Sequence, residues 1–156
     1  MDLFEKEPPS ADMTQPAQPV TILLVDDNPE HRLLIIRNLR RGMRTVNIVE
    51  CGSGSDCIAR IGQTKFDLVL LDYSLRDMNG LEVLDVLKKI HDSMPIIMLT
   101  GREDDQIAEE AKRRGAADYI VKSTEFLDHI VAVVERTLAQ QALQCPADPP
   151  QGPSSS

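Results

Sequence analysis

The sequence predicts an α/β domain built on a parallel sheet, and three observations carry that expectation. Five short apolar runs, VTILLV, NIVEC, DLVLL, PIIMLT and DYIVK, alternate with amphipathic stretches of helical period, the pattern of repeated βαβ units with right-handed crossovers. Within DLVLL, Val69, Leu70 and Leu71 are consecutively apolar yet too few for a helix, as a strand buried on both faces reads. Chemistry-bearing residues fall where the runs end: Asp26 and Asp27 after the first, Asp72 after the third, Thr100 at the fourth and Lys122 at the fifth. That rim is where open α/β sheets hold their ligands.

Taken in order, the elements carry their own boundary signals. The first helix is expected after Asn28, with Pro29 suited to the first turn, and ends near Arg41, just short of Gly42. A second, weaker helix falls near Ser55 to Ile61. The third opens at Asn79, places Leu81, Leu84 and Leu87 on one side, and closes with Lys88 and Lys89, cations that complement the dipole at a C-terminus. The fourth spans about Asp104 to Arg114 and stops before Gly115. The fifth runs from about Glu125 to Leu143, with Leu127, Ile130, Val131, Val134 and Leu138 on one face. Eight of the ten prolines lie outside residues 20–140, so segments 1–19 and 141–156 are expected to be disordered Pro-rich tails around one domain.

Composition narrows the function. A chain of 156 residues with 42% hydrophobic content suffices for one domain with a genuine core. The net charge is −8, and the one run of three basic residues is Lys112, Arg113, Arg114, which argues against direct nucleic-acid binding. Cys51, Cys57 and Cys145 are odd in number and lack metal-ligand spacing, so reduced cysteines and a cytoplasmic setting are expected. No apolar run is long enough to span a membrane, and the acidic, Pro-rich start is unlike a signal peptide.

Singly, the residues at the strand ends have ordinary explanations, such as an Asp pair capping a helix. Together they define a site. With the first and third strands adjacent, Asp26, Asp27 and Asp72 converge, and like charges at that range repel unless neutralised. A divalent cation is the natural remedy, and magnesium, which prefers hard oxygen ligands and keeps waters and a phosphate oxygen, suits the set. A lysine and a hydroxyl on neighbouring strands complete the surroundings of a carboxylate that accepts phosphate.

The motifs LLVDDNP, LLDYSLRDMNG, PIIMLTG and ADYIVK, in this order and spacing from about Val20 to Leu138, resemble those of the receiver domain of two-component response regulators. That resemblance implies a flavodoxin-like fold with strand order 2-1-3-4-5 and helices on both faces. It implies that Asp72 is the phosphoacceptor and that Asp26, Asp27, Asp72 and the backbone carbonyl of Ser74 hold Mg2+. Thr100 would bond the phosphoryl oxygens, Lys122 would pair with them, and Tyr119 would turn inward as Thr100 is drawn to the new phosphate. Gly101 would leave room for the phosphoryl group, and Ser74 and Arg102 would tune its hydrolysis. The implied partners are a histidine kinase or phosphotransfer protein and a downstream protein target, with no turnover of an external substrate. The residues after Gln140 are too short and too polar for an output domain, so the signal is expected to pass by protein contact, or onward to another histidine in a phosphorelay, unless the chain is an excised receiver.

Two departures stand out. Lys122 is followed by Ser123 where the family usually has a cis-proline; a cis bond to serine costs about 3–4 kcal/mol, so a trans peptide is expected. Leu75 and Arg76 stand where Met-Pro is usual. On the first helix, Leu33, Leu34, Ile35 and Ile36 are consecutive and sweep about 300° of its circumference, more than one core stripe hides. Leu33 or Ile36 is therefore a candidate donor-docking residue, the alternative being a helix that is simply apolar. His31, His91 and His129 read as ordinary surface or core histidines. Ala132, Val133 and Arg136 lie off the fifth helix's stripe, which admits a weak homodimer through the fourth helix, fifth strand and fifth helix, or a monomer. Two rivals differ in kind. A haloacid-dehalogenase-like phosphatase carries its nucleophile on the first strand, not the third, and a degenerate receiver lacks the intact Asp, Thr and Lys set.

Overall fold

A computed structural model gives the architecture and describes residues 19–144 apart from 102 and 124. Five strands, β1 (Val20–Val25), β2 (Val46–Cys51), β3 (Leu68–Asp72), β4 (Ile96–Thr100) and β5 (Asp118–Val121), alternate with five helices. The helices are α1 (Pro29–Gly42), α2 (Gly54–Gln63), α3 (Gly80–Ile90), α4 (Asp105–Arg113) and α5 (Phe126–Gln144). All pairings are parallel and the order is β2-β1-β3-β4-β5, so β1 and β3 are neighbours as the acid cluster requires.

The period-2 alternation of the strands divides the core in two. Leu23, Val25, Val69, Leu71, Ile96 and Met98 face α2, α3 and α4, where they meet Cys57, Ile61, Val83, Leu84 and Leu87. Ile22, Leu24, Leu68, Leu70, Ile97 and Leu99 face α1 and α5, meeting Ile35, Ile36, Leu39, Ile130 and Val134. Every residue of β3 and β4 is buried, which is why both read as unbroken apolar runs. Truncating one of these leucines to alanine costs about 2–5 kcal/mol.

The helix starts follow their caps. The side chain of Asn28 accepts from Glu30 and His31 backbone N–H, Ser53 caps α2, Asn79 and Glu82 form a capping box on α3, and Asp104 caps α4. Three ends differ from expectation. α1 continues through Gly42 because this glycine is needed for close packing: a Cβ there would sit 2.8 Å from Val131 Cγ2 on α5. α2 is longer than Ser55 to Ile61, since Asp77 accepts from the backbone N–H of Gly54 and Ser55 and from the Ser55 hydroxyl and so extends its first turn. α5 ends at Gln144, one residue past the expected Leu143, so its last turn takes in residues 141–144, which were expected to begin the tail, and helix formers there favour continuation. Gly115, at φ +107°, turns the chain out of α4 in a conformation that side-chain-bearing residues rarely adopt. No helix among the described residues is long and apolar enough to cross a membrane.

Candidate functional site

Asp72 ends β3, the middle strand, and Asp26 and Asp27 follow β1 beside it. Each of the three carboxylates offers an oxygen within 4.8 Å of the others. Asp26 is fully buried and Asp72 is 5% exposed, so their charges cannot be left to solvent. Lys122, just past β5, supplies the compensation: its Nζ lies 2.6 Å from Asp26 Oδ2 and 3.4 Å from Asp72 Oδ1. Hard oxygen donors grouped at this range fit a magnesium ion.

Burial is the largest influence on Asp72 and raises it from 3.8 to about 6, Lys122 pulling it down and Asp26 pushing it up by smaller amounts. Lys122 acts to lower this carboxyl, but desolvation outweighs it. The Ser74 backbone N–H also bonds the Asp72 carboxylate.

The loop after Asp72 is held by its own hydrogen bonds. Gly80 N–H donates to Tyr73 O at 2.8 Å and Tyr73 N–H to Leu99 O at 2.7 Å, and Ser74 pairs with Asn79 in an isolated antiparallel bridge. Gly80 is obligatory here, since a Cβ would lie 2.7 Å from both Asp72 O and Tyr73 Cα. Thr100, 2% exposed at the end of β4, accepts Lys122 N–H on its backbone carbonyl at 2.6 Å. The Tyr119 hydroxyl reaches Thr100 and donates to Asp104 O at 3.4 Å; burial raises its pKa above the usual phenol value. The expected coupling partners are thus already in contact. Apart from its chain neighbours, an added Cβ at Gly101 meets no atom of the described residues within 4 Å, so this residue borders open space. The Lys122–Ser123 peptide is trans, as the absent proline requires. Arg102 lies outside the described residues.

Ile36 does not belong to a docking patch. It is 8% exposed and packs in the α1/α5 core, because the inward stripe of α1 falls on Ile35, Ile36 and Leu39. The exposed pair is Leu33 at 54% and Leu34 at 41%. The outer face of α5 is also less apolar than its sequence suggested. Val133 packs against the core and Arg136 pairs with Asp118 at 2.7 Å.

Three residues were missed as contributors. His31, read as an ordinary histidine, places Nδ1 3.2 Å from Lys122 Nζ. Arg32 donates from Nη1 to the Asp26 backbone carbonyl and from Nε to Glu50 Oε1 at 3.0 Å, fixing the acid pair against β2. Arg76, mostly exposed, lies 3.5 Å from Asp27 Oδ2. The only signal for the first two was position, within the first turns of the helix that follows the Asp pair.

An acid cluster with a lysine at the C-terminal rim of a parallel sheet is the kind of site that phosphoryl-accepting signalling domains carry. A model of the response regulator receiver domain matches residues 22–135, and the chain belongs to that family, whose members act in two-component signal transduction and bind Mg2+ at an acidic pocket. Among relatives, the transcriptional regulatory protein ZraR of Salmonella typhimurium is 34% identical over 120 residues, 77% of this chain and 26% of that protein. The probable transcriptional regulatory protein TcrX of Mycobacterium tuberculosis is 37% identical over 125 residues, 77% of this chain and 52% of that one. The chain spans about a quarter of the length of the ZraR proteins it matches. Among solved structures, NtrX from Brucella abortus superposes with a TM-score of 0.76 at 30% identity, covering 88% of this chain and 31% of that one. The receiver domain of a putative LuxO repressor protein from Vibrio parahaemolyticus superposes with a TM-score of 0.77 at 24% identity, over 85% of this chain and all of that one, a likeness of fold.

Proposed function

We propose that Asp72 accepts a phosphoryl group from a phosphohistidine of a kinase or phosphotransfer protein. The observation that carries this reading is the shared position of Lys122, within 4 Å of both Asp26 and Asp72, beside three carboxylates grouped within 4.8 Å. An oxygen of ionised Asp72 attacks phosphorus, the P–N bond breaks, and the departing imidazole keeps the electron pair and takes a proton. The transition state is loose, so positioning and cationic stabilisation supply most of the catalysis. Lys122 ion-pairs with the phosphoryl oxygens and the Thr100 hydroxyl donates to another. Asp26, Asp27, Asp72 and the Ser74 carbonyl would hold Mg2+, which supplies further positive charge to the transferring group.

Drawing Thr100 toward the phosphoryl group changes its contact with Tyr119 and biases the surface of α4, β5 and α5, which then contacts a downstream protein or, weakly, a second copy. Gly101 borders the phosphoryl entrance, and Ser74 and Arg102 tune hydrolysis of the product. Leu33 belongs to the donor-docking surface. The receiver runs from residue 20 to the end of α5 at Gln144, acts in the cytoplasm, and signals by protein contact whether the domain stands alone or within a longer protein. Incubation with acetyl phosphate and Mg2+ should label the wild type and leave Asp72→Asn unlabelled; equal labelling of both would refute the assignment.

A further inference from the structure

We infer that His31 is a positioning residue for Lys122, and so for phosphoryl transfer; the inference rests on Asp72 being the acceptor. An ammonium has three hydrogens and no lone pair. Around Lys122 Nζ there are three acceptors: Asp26 Oδ2 at 2.6 Å, His31 Nδ1 at 3.2 Å and Asp72 Oδ1 at 3.4 Å. Each hydrogen therefore has one destination. Because the lysine can only donate, Nδ1 of His31 carries no proton, and the proton of its ring sits on Nε2.

The three acceptors are not equivalent. Asp26 and Asp72 are also candidate cation ligands, and Asp72 supplies the oxygen of the new acyl phosphate. His31 alone has a lone pair committed to the lysine and to nothing else in the site. Its side chain is 45% exposed while that of Lys122 is 8% exposed, so the imidazole stands between the ammonium and water. The backbone makes this placement firm: His31 N–H donates to the Asn28 cap at 3.4 Å, which seats the residue in the first turn of α1, above the Asp pair. His31 lies 3.6 Å from Asp26 Oδ2, too far to compete for that oxygen. The imidazole thus keeps Lys122 over the acid cluster and leaves its remaining hydrogens for Asp26 and for Asp72 or the group bound there.

Asparagine and leucine variants separate this role from bulk packing. In His31→Asn, Oδ1 stands at the same remove from the backbone as Nδ1 and accepts the same hydrogen; His31→Leu keeps the volume without an acceptor. With acetyl phosphate and Mg2+ as the probe, His31→Leu should be labelled about tenfold more slowly, the lower end of what a hydrogen bond to a charged group is worth. His31→Asn should stay within about twofold of the wild type, because its amide oxygen restores the acceptor. Nitrogen-15 spectra of the metal-free wild type should show His31 with Nδ1 bare and Nε2 protonated. Wild-type labelling in His31→Leu, a loss in His31→Asn equal to that in His31→Leu, or a proton on Nδ1 would each overturn the inference. If melting shows that His31→Leu does not fold, the asparagine variant and the spectra decide. Failure of the wild type itself to label would instead remove the acceptor assignment on which the inference rests.

Discussion

Replacing Asp72 with asparagine removes a charge that the metal-free fold holds at a cost, and the cost can be worked out. The carboxyl sits at about 6 against an ordinary 3.8, so between those values the native state keeps a proton that the unfolded chain has released. Stability therefore falls as pH rises through that window and is flat above it. At about 1.4 kcal/mol per pKa unit, the wild type at pH 8 carries a penalty of about 3 kcal/mol, and at pH 5 about half of that. Asparagine is isosteric with the neutral acid and does not strand Lys122, whose 2.6 Å contact with Asp26 remains. Urea titrations followed by circular dichroism in a chelator should find Asp72→Asn more stable by about 3 kcal/mol at pH 8, or about 10 °C in melting temperature. The gap should narrow steadily toward pH 4. A variant less stable than the wild type at pH 8, or a gap independent of pH, would refute the argument that desolvation dominates at this carboxylate.

Other outcomes follow from neighbouring geometry. Gly80→Ala drives a Cβ into the backbone of Asp72 and Tyr73 at 2.7 Å; it should destabilise the fold by about 1–3 kcal/mol and shift the Asp72 and Tyr73 amide resonances, which unchanged spectra would contradict. The hydrogen bonds from Ser55 and Gly54 hold Asp77 down from 3.8 to about 2. Its contribution to stability is therefore present above 3.8 and lost as pH falls toward 2, so Asp77→Asn should lower the melting temperature at pH 7 by more than it does at pH 3. Leu33→Ser with Leu34→Ser should slow transfer from a phosphohistidine protein while leaving labelling by acetyl phosphate unchanged, whereas Ile36→Ser, in the core, should lower stability instead; equal loss with both donors would remove the docking role from Leu33.

The parts of this molecule most legible in the sequence are those in which one residue type has one physical reason to be where it is. The buried strands β3 and β4 announced themselves as unbroken apolar runs because both faces are covered. Asn28, Asn79 and Asp104 marked helix starts because their side chains accept orphan backbone N–H groups. The acid cluster, Thr100 and Lys122 were legible as strand-end residues, since a parallel sheet delivers all its C-terminal ends to one rim. What stayed hidden depends on rotation and reach. A run of four apolar residues on α1 does not say which two face inward; contact with β1 and α5 decides in favour of Ile35 and Ile36. His31 and Arg32 act across the chain, on Lys122 and Glu50, and no local pattern encodes a partner 91 residues away. The level of Asp72 was likewise a contest between a lysine visible in the sequence and a burial that only packing reveals.

The account stands or falls on which atom takes the phosphoryl group. Borohydride reduction of the acetyl-phosphate-treated protein converts an aspartyl phosphate to homoserine, and tandem mass spectrometry then reads its position. Homoserine at residue 72, formed only when Mg2+ is present, is the expected result. A folded, Mg2+-supplied protein that yields homoserine elsewhere, or none while still carrying label on another residue type, would contradict it.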